Sequence, residues 1–289
     1  MTGSDEVERV HLSVIIPVRN GEPYIANQLR ALATQECSYA WELIVVDNGS
    51  TDSTLETVRQ FSSRLPKLRV ITEPLAGRSN ALKAGREAVS GEYIVIVDAD
   101  DEVGAGYLQA MANALDRYEL VCSFMETSLL NPWDQGLVPA PDRLVPYLDF
   151  LPGVSGALMG VRASAWKRIG DFATDMGLQE DIDFSWRAQL LGVTLGMAPE
   201  AVLHWRRPRK AWDNFHKARG YGRGQVRLYR RYRAHGQPRR RIVEELDHLR
   251  QAARELWHHR DHWQWRMAWH LGLIAGRLEE SLRLRVFYP

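Results

Sequence analysis

The side chains best suited to chemistry in this sequence are three aspartates at the end of an apolar run. Asp98, Asp100 and Asp101 follow the run from Tyr93 to Val97, which is aromatic or aliphatic throughout. Such a run is typical of a strand buried on both faces of a parallel sheet, and carboxylates at its end are costly unless a positive group meets them. Mg²⁺ and Mn²⁺ prefer oxygen ligands and often share them with substrate phosphate, so this DxD spacing predicts a metal–phosphate site. The alternative is a polar loop in which one aspartate caps a helix.

A second acidic group opens a predicted helix and consists of Glu180, Asp181 and Asp183. Apolar residues follow it at helical spacing, namely Ile182, Trp186 and Leu190. Acidic residues in a first turn interact favourably with the helix dipole, so capping alone explains their presence. The residues by themselves leave both capping and chemistry open.

Alternating strands and helices position the first acidic group. The predicted strands are Leu12–Ile16, Leu43–Val46, Leu68–Ile71 and Tyr93–Val97, and the helices between them are Tyr24–Ala33, a segment carrying Leu55, Val58 and Phe61, and Gly77–Ala88. Pro17 should end the first strand, because proline cannot donate to a sheet ladder. The alternation predicts an α/β fold with a doubly wound parallel sheet, whose ligands bind at the carboxyl ends of the strands. Asp47, which ends the second strand, would then lie near the three aspartates.

No glycine motif for nucleotide binding accompanies this pattern. The sequence contains neither GxGxxG nor GxxxxGK[ST], which disfavours both a dinucleotide-binding fold of the usual kind and a P-loop. The phosphates must then be held in another way, and a metal ion on Asp100 is the candidate.

Four segments together resemble the family 2 glycosyltransferases of the GT-A fold. They lie in the family's order and spacing within Ser13–His204, and they are SVIIPVRNGEPYI, ELIVVDNGSTDST, AGRSNALKAGREAVSGEYIVIVDADD and GLQEDIDFSWRAQLLG. The resemblance implies a Rossmann-like, mostly parallel sheet flanked by helices. It also implies transfer of a sugar from a nucleoside diphosphate sugar, with a UDP-sugar as the expected donor and with inversion at the anomeric carbon.

The resemblance further implies roles for individual residues. Those along the donor are Pro17, Arg19, Glu22, Asp47 at the base edge, Arg78 near the base and phosphates, and Asp98 near the ribose. Asp100 would bind a Mn²⁺ or Mg²⁺ ion that bridges the diphosphate, with Asp98 and His204 as further ligands. Asp181 would be the general base, with Glu180 as second candidate, because an acceptor hydroxyl must lose its proton as the bond forms. The alternatives are a surface helix position for Arg78, a turn-forming role for Asn48 and a satisfied surface histidine at His204.

Composition places the chain among ordinary globular proteins. Of its 289 residues 45% are hydrophobic and 25% are charged, and the formal net charge is +1. No apolar segment follows the N-terminus and no apolar run is long enough to span a bilayer, so we expect a cytoplasmic protein. The proline-rich stretch at 131–153 predicts a long loop.

The chain changes character after residue 205. Arg206 to Arg241 contain fourteen lysines and arginines against one acid, Asp213, with aromatic residues interleaved. Residues 242–285 predict one or two helices that carry Trp257 and three further tryptophans. The expected divisions are a catalytic domain at 1–205, its nucleotide-binding half at 11–101, its acceptor half at 102–205, and a helical extension at 206–289.

Three interpretations of this extension are open. It packs on the catalytic domain and closes the acceptor site, it lies on an anionic surface at the inner face of the membrane, or it binds nucleic acid. The near-neutral total charge and the lack of a nucleic-acid motif disfavour the third, so no nucleic-acid partner is expected.

Together with these patterns, the resemblance implies a metal-assisted inverting glycosyltransferase with Asp181 as general base. The alternatives are a metal-dependent nucleotidyltransferase, which would release pyrophosphate, and a non-catalytic sugar-nucleotide-binding protein. The acceptor stays open among a small metabolite, a lipid carrier, a glycan and a peptide. The oligomeric state is open as well, with a homodimer as one option.

Overall fold

The computed structural model describes residues 9–133, 143–241, 243, 250 and 263–289 of this chain. Ten strands form within these ranges: β1 (Leu12–Val18), β2 (Trp41–Asp47), β3 (Arg69–Thr72), β4 (Tyr93–Ile96), β5 (Glu102–Val103), β6 (Leu120–Glu126), β7 (Pro146–Tyr147), β8 (Leu151–Pro152), β9 (Met159–Arg162) and β10 (Leu195–His204). Eight of them make one sheet in the order β3-β2-β1-β4-β9-β6-β10-β5, and β7 pairs with β8 in a separate hairpin.

The sheet is mostly parallel, which confirms the predicted fold class. β1 pairs in parallel with β2 and β4, β2 with β3, and β6 with β10. The exceptions are β9, antiparallel to both β4 and β6, and β5, antiparallel to β10. Successive residues of β1 enter different cores, since Val14 and Ile16 pack on one face of the sheet and Ile15 on the other. Both faces are therefore buried, which is why the central strands lack polar alternation.

Pro17 does not end the first strand, contrary to the sequence prediction. β1 continues to Val18, and its pairing with β2 extends to Val18 opposite Asp47. The Ile15 carbonyl accepts a hydrogen bond from the Val97 amide, so the backbone polar groups of Ile15 point toward the side of β1 on which β4 lies. Residues two apart point their backbone groups to the same side, so the backbone nitrogen of Pro17 faces that side as well. Because the pairing of β1 with β4 ends at Ile15, the amide hydrogen that proline lacks removes no ladder bond.

Helices supply the other side of both cores. They are α1 (Ile25–Ala33), α2 (Thr54–Arg59), α3 (Arg78–Ala88), α4 (Tyr107–Leu115), α5 (Ala163–Ile169), α6 (Glu180–Leu190), α7 (Ala211–Tyr232) and α8 (Trp263–Leu284). α1 and α4 contribute to one core, and α3, α5 and α6 contribute to the other. Among the described helices, none combines the length and the apolar character needed to cross a bilayer.

The basic C-terminal stretch forms a 22-residue helix, α7, which confirms the predicted helical character of the C-terminal extension. It packs on α8 so closely that a Cβ atom on Gly276 would lie 2.1 Å from the Arg219 carbonyl oxygen. Arg219 and Arg223 both pair with Glu279 of α8, so part of the positive charge of the stretch is neutralised within the fold. Trp257 and positions 134–142 of the predicted loop lie outside the described residues.

Candidate active site

A cavity of about 510 Å³ opens at the carboxyl ends of β1 and β4. Parallel strands bring these ends to one edge of the sheet, so the loops that follow them meet there. The volume lies within the range of small-molecule binding sites. Of the residues that the resemblance places along the donor, those lining the cavity are Pro17, Arg19, Glu22, Arg78, Asp98 and Asp100.

Asp47, the remaining donor residue, is not among the described residues that line this cavity. Its carboxylate is buried, and Oδ1 accepts a hydrogen bond from the Ser50 amide at 3.1 Å. The next residue, Asn48, lines the cavity instead. Its Nδ2 donates to the Glu73 carbonyl at 2.8 Å, and its Oδ1 accepts from the Gly77 amide at 2.7 Å. Asn48 thus holds the loop before α3, while the role of Asp47 at the base edge stays a prediction.

The three aspartates after β4 lie together. One carboxylate oxygen from each of Asp98, Asp100 and Asp101 falls within 4.8 Å of the other two. Asp101 Oδ1 accepts from the Arg206 amide at 2.8 Å, whereas its buried Oδ2 has no hydrogen-bond partner in the described part of the chain. Burial, and after it the neighbouring carboxylates, raises the pKa of Asp100 and raises that of Asp101 well above its usual range. An all-oxygen set with an unsatisfied buried oxygen fits a hard divalent cation such as Mn²⁺ or Mg²⁺.

His204 ends β10 and is held by a carboxylate outside this cluster. Its Nδ1 lies 2.8 Å from Glu126 Oε2. Burial opposes ionisation of Glu126, but hydrogen bonds from Ser128 and His204 lower its pKa to about 2. Glu126 is therefore charged and fixes the imidazole ring. In the sheet, His204 lies opposite Glu102 of β5, the residue directly after Asp101. Because the imidazole is engaged by Glu126, contact between His204 and a metal ion stays a prediction.

Arg206 is a site residue that the sequence analysis does not single out. Its Nε donates to the Asp100 carbonyl at 2.8 Å, and its Nη2 donates to Glu102 Oε1 at 3.1 Å. The guanidinium group also lies 4.4 Å from the ring centroid of Tyr24, which lines the cavity. Arg206 thereby fastens the aspartate loop to the cavity wall. Nothing distinguishes it in the sequence from the thirteen other basic residues of its stretch.

Arg78 joins the two acidic groups. Its Nη2 donates to Asp98 Oδ1 at 2.9 Å, and its Nη1 lies 3.5 Å from Glu180 Oε1. Burial opposes its charge, but the surrounding carboxylates raise the pKa of Arg78 above its ordinary value, so the guanidinium stays charged. It rests against Gly156, where a Cβ atom would lie 2.5 Å from Arg78 Nη1. Arg78 therefore lies in the site rather than on a solvent-exposed helix surface.

Glu180 and Asp181 lie beside Arg78 at the start of α6. Asp181 accepts hydrogen bonds from the Gly156 amide at 2.9 Å and from the Ile182 amide at 2.7 Å. Burial raises the pKa of Asp181, and it raises the pKa of Glu180 to about 7. The buried Oε2 of Glu180 has no hydrogen bond from any residue in the described ranges. A fixed carboxylate with a raised pKa suits a group that takes up a proton during a reaction.

Asp183, the third acid of this group, makes structural contacts instead. It is fully buried and accepts hydrogen bonds from Arg187 Nε at 2.9 Å, Arg231 Nη1 at 2.8 Å and Tyr232 Oη at 2.8 Å. Arg231 and Tyr232 belong to the end of α7, so a single carboxylate ties α6 to the C-terminal extension.

The middle of α7 also faces the site, through residues that the sequence analysis overlooks. Lys217 Nζ lies 4.8 Å from the ring centroid of Trp205. One turn later, Tyr221 packs against Trp269 in a tilted arrangement, with ring centroids 5.7 Å apart. Burial raises the pKa of Tyr221, and the charge of Asp181 adds to this effect. Tyr221 therefore lies within the electrostatic reach of the second acidic group.

Comparison with known proteins finds a family that matches the first half of this chain. Residues 13–142 match the family described as Glycosyl transferase family 2. The uncharacterized glycosyltransferase YibD of Escherichia coli is 38% identical over 92 residues, which cover 32% of this chain and 26% of that protein. The dodecaprenyl-phosphate galacturonate synthase of Rhizobium johnstonii is 32% identical over 121 residues, covering 40% of this chain and 36% of that protein. The matches thus span about a quarter to a third of these relatives.

A solved structure resembles the whole chain. The mannosyltransferase PcManGT of Pyrobaculum calidifontis, in complex with GDP-Man and Mn²⁺, superposes with a TM-score of 0.65 at 20% identity. The alignment covers 96% of this chain and 88% of that one. At this identity the likeness establishes the fold, which is GT-A.

Proposed function

We propose that this chain, whose residues 13–142 match glycosyltransferase family 2, transfers a sugar from a nucleoside diphosphate sugar to an acceptor hydroxyl with inversion at the anomeric carbon. One observation carries the proposal. Arg78 joins the aspartate cluster at the donor cavity to the acidic pair that contains Asp181. The proposed transfer needs two groups on either side of the anomeric carbon, one that holds the leaving diphosphate and one that takes the acceptor proton. The aspartate cluster and Asp181 would fill these two roles.

The donor would lie in the 510 Å³ cavity, with its nucleoside toward Pro17, Arg19 and Asn48. Its diphosphate would face the aspartates after β4, where Asp98, Asp100 and Asp101 would hold a Mn²⁺ or Mg²⁺ ion. When bound, such an ion neutralises the charge that develops on the leaving diphosphate. Arg206 keeps the Asp100 backbone in place through its bond to the carbonyl. PcManGT binds GDP-Man with Mn²⁺, so UDP- and GDP-sugars are both candidates for the donor.

Asp181 is the proposed general base. As the acceptor oxygen forms its bond to the anomeric carbon, the bond from that carbon to the diphosphate breaks, and the hydroxyl proton passes to the Asp181 carboxylate. The amides of Gly156 and Ile182 hold this carboxylate in one orientation. Glu180 is the second candidate, but its Oε1 is engaged by Arg78.

A thermal-shift screen of nucleoside diphosphates with Mn²⁺ or Mg²⁺ tests the donor site, since a ligand that binds the native state raises Tm. We expect the stabilisation by the best nucleotide to vanish with EDTA and with Asp100→Ala. Glu56→Ala, at an exposed position of α2, is the matched control. Equal stabilisation of Asp100→Ala and wild type by nucleotide and metal would refute the metal assignment.

The base is tested by the release of nucleoside diphosphate from the donor that this screen identifies. Asp181→Asn should keep donor affinity but lower turnover by about 10²–10⁴-fold. Unchanged turnover would remove Asp181 from the mechanism. Release of pyrophosphate from a nucleoside triphosphate, in place of nucleoside diphosphate, would instead favour a nucleotidyltransferase.

We also propose that the protein contacts an anionic membrane surface through α8. Exposed apolar side chains recur along one face of this helix, and they are Trp263, Met267, Leu271, Leu278 and Leu282. Arg285, directly after the helix, is exposed, as is Arg283 in the last turn, which also pairs with Glu280. Basic residues here suit an anionic surface. Co-sedimentation with liposomes of phosphatidylcholine, with and without phosphatidylglycerol, tests this. Leu271→Ser should weaken binding while Leu75→Ser, exposed on the catalytic half, should not; no binding to either liposome refutes it.

A further inference from the structure

Lys217 is a half-buried lysine of α7 whose ammonium group makes no ion pair or hydrogen bond within the described part of the chain. Its Nζ lies 4.8 Å from the ring centroid of Trp205, a cation–π contact. An ammonium group carries three N–H donors, and an indole ring covers it from one side only. Lys217 therefore keeps both its charge and its donors for a ligand.

Trp205 brings this ammonium group to the aspartate cluster. It directly precedes Arg206, whose amide donates to Asp101 Oδ1 at 2.8 Å and whose Nε donates to the Asp100 carbonyl at 2.8 Å. Burial and the neighbouring carboxylates raise the pKa of Asp100 and of Asp101, and the charge of Lys217 opposes this rise. Lys217 thus acts on both carboxylates without forming an ion pair with either, a separation that a phosphate group can bridge.

The same face of α7 continues to the second acidic group. Tyr221, one turn after Lys217, lies within the electrostatic reach of Asp181. The packing of α7 on α8 fixes this face, because a Cβ atom on Gly272 of α8 would lie 2.8 Å from the Cβ atom of Ala218, the residue after Lys217. α7 therefore runs past both acidic groups, with a cation beside the aspartate cluster and a phenol near the proposed base.

We propose that Lys217 binds the sugar-bearing phosphate of the donor and stabilises it as the leaving group. The inference rests on the proposed glycosyl transfer and assigns a further residue to it. As the bond from the anomeric carbon to the phosphate oxygen breaks, its electron pair stays on that oxygen, and a nearby ammonium group stabilises the added negative charge. Lys217 is not among the described residues that line the donor cavity. It would therefore reach the diphosphate from α7, whereas the nucleoside would lie against the loops after β1 and β2.

The test is isothermal titration calorimetry with UDP and UMP, and with GDP and GMP, in the presence of Mn²⁺. A nucleoside monophosphate lacks the phosphate assigned to Lys217, so loss of this contact should affect the diphosphates alone. We expect Lys217→Met to weaken diphosphate binding by about tenfold or more, the effect of one charge-assisted hydrogen bond. Its monophosphate affinity should stay nearly unchanged, which also shows that the fold persists. Lys217→Arg keeps the charge and should recover much of the loss, while Lys167→Met, at an exposed position of α5, should change neither affinity.

Turnover provides a second readout, because the charge on the leaving phosphate is larger in the transition state than in the bound donor. Lys217→Met should therefore lower kcat for nucleoside diphosphate release more than it raises KM for the donor. Equal weakening of diphosphate and monophosphate binding would overturn the proposal and assign Lys217 a structural role on Trp205. If wild type binds neither UDP nor GDP with Mn²⁺, the donor site of the proposed transferase fails as a whole. If wild type binds one of them and Lys217→Met binds it equally well, the assignment of Lys217 alone fails.

Discussion

Replacement of Asp183 by asparagine should destabilise the whole protein, because this side chain ties α6 to α7. Asp183 is fully buried, and its carboxylate accepts hydrogen bonds from Arg187, Arg231 and Tyr232 at 2.8–2.9 Å. Asparagine has nearly the same shape. It removes the negative charge, however, and turns one of the two acceptor oxygens into a donor that faces an arginine.

The size of the effect follows from these contacts. Breaking a buried ion pair by removing one partner costs about 3–5 kcal/mol. The side chains of Arg187 and Arg231 are 24% and 35% exposed, so water compensates them in part and the lower end of the range applies. We expect the free energy of unfolding to fall by about 3 kcal/mol, and Tm to fall by roughly 6–12 °C at about 2–4 °C per kcal/mol.

Urea and thermal unfolding followed by circular dichroism measure this loss. Asp175→Asn is the matched control, because Asp175 also pairs with Arg231 at 2.9 Å but keeps 69% of its side chain exposed. An exposed pair contributes about 1 kcal/mol at most. If the two variants are destabilised equally, or if Asp183→Asn loses less than about 1 kcal/mol, α7 is not held to α6 by this buried charge.

Two further predictions concern the acidic pair and Arg78. Gly156→Ala places a Cβ atom 2.5 Å from Arg78 Nη1, so the flexible guanidinium should move while the fold persists. We expect a nearly unchanged Tm but about 10²-fold slower nucleoside diphosphate release. An unchanged rate of release would contradict this. Burial raises the pKa of Glu180 from its ordinary 4.5 to about 7, so its native state retains a proton that the unfolded chain has released. The resulting stabilisation is full below pH 4.5 and is lost as pH rises through about 7. Glu180→Gln should therefore flatten the decline in unfolding free energy between pH 5 and pH 8, measured by urea titration; a parallel decline in both proteins would disprove the assignment.

The strands of the first half could be predicted because local sequence determines them. An uninterrupted apolar run such as Tyr93–Val97 is typical of a strand whose two faces are both buried in the middle of a sheet, and β4 spans Tyr93–Ile96. The aspartate cluster follows from the same logic, since its residues are neighbours in the chain. The end of β1 at Pro17 is the wrong prediction. A proline interrupts a strand only where a neighbouring strand would accept a hydrogen bond from its amide, and the sheet register, which the local sequence does not reveal, decides this.

The C-terminal half depends on contacts between residues far apart in sequence. The helical character of the extension is predictable, but α7 contains three glycines at alternate positions, which disfavour a helix by about 1 kcal/mol each, so local propensity does not give its bounds. Its stability comes from α8, where Glu279 and Glu280 pair with arginines more than fifty residues away. Arg206 and Lys217 are not predictable as site residues for the same reason, because no spacing within one segment reveals which distant segment a side chain meets.

The balance of charge in the site supports the proposal that it binds a divalent cation. The site brings together five carboxylates, and the guanidinium groups that contact its residues are those of Arg78 and Arg206. The five are Asp98, Asp100, Asp101, Glu180 and Asp181. After burial, mutual repulsion among these carboxylates contributes to the raised pKa values of Asp100, Asp101 and Glu180. A nucleoside diphosphate would add further negative charge and would be repelled by such a surface. We therefore infer that donor and divalent cation bind together, since each removes the electrostatic obstacle to the other.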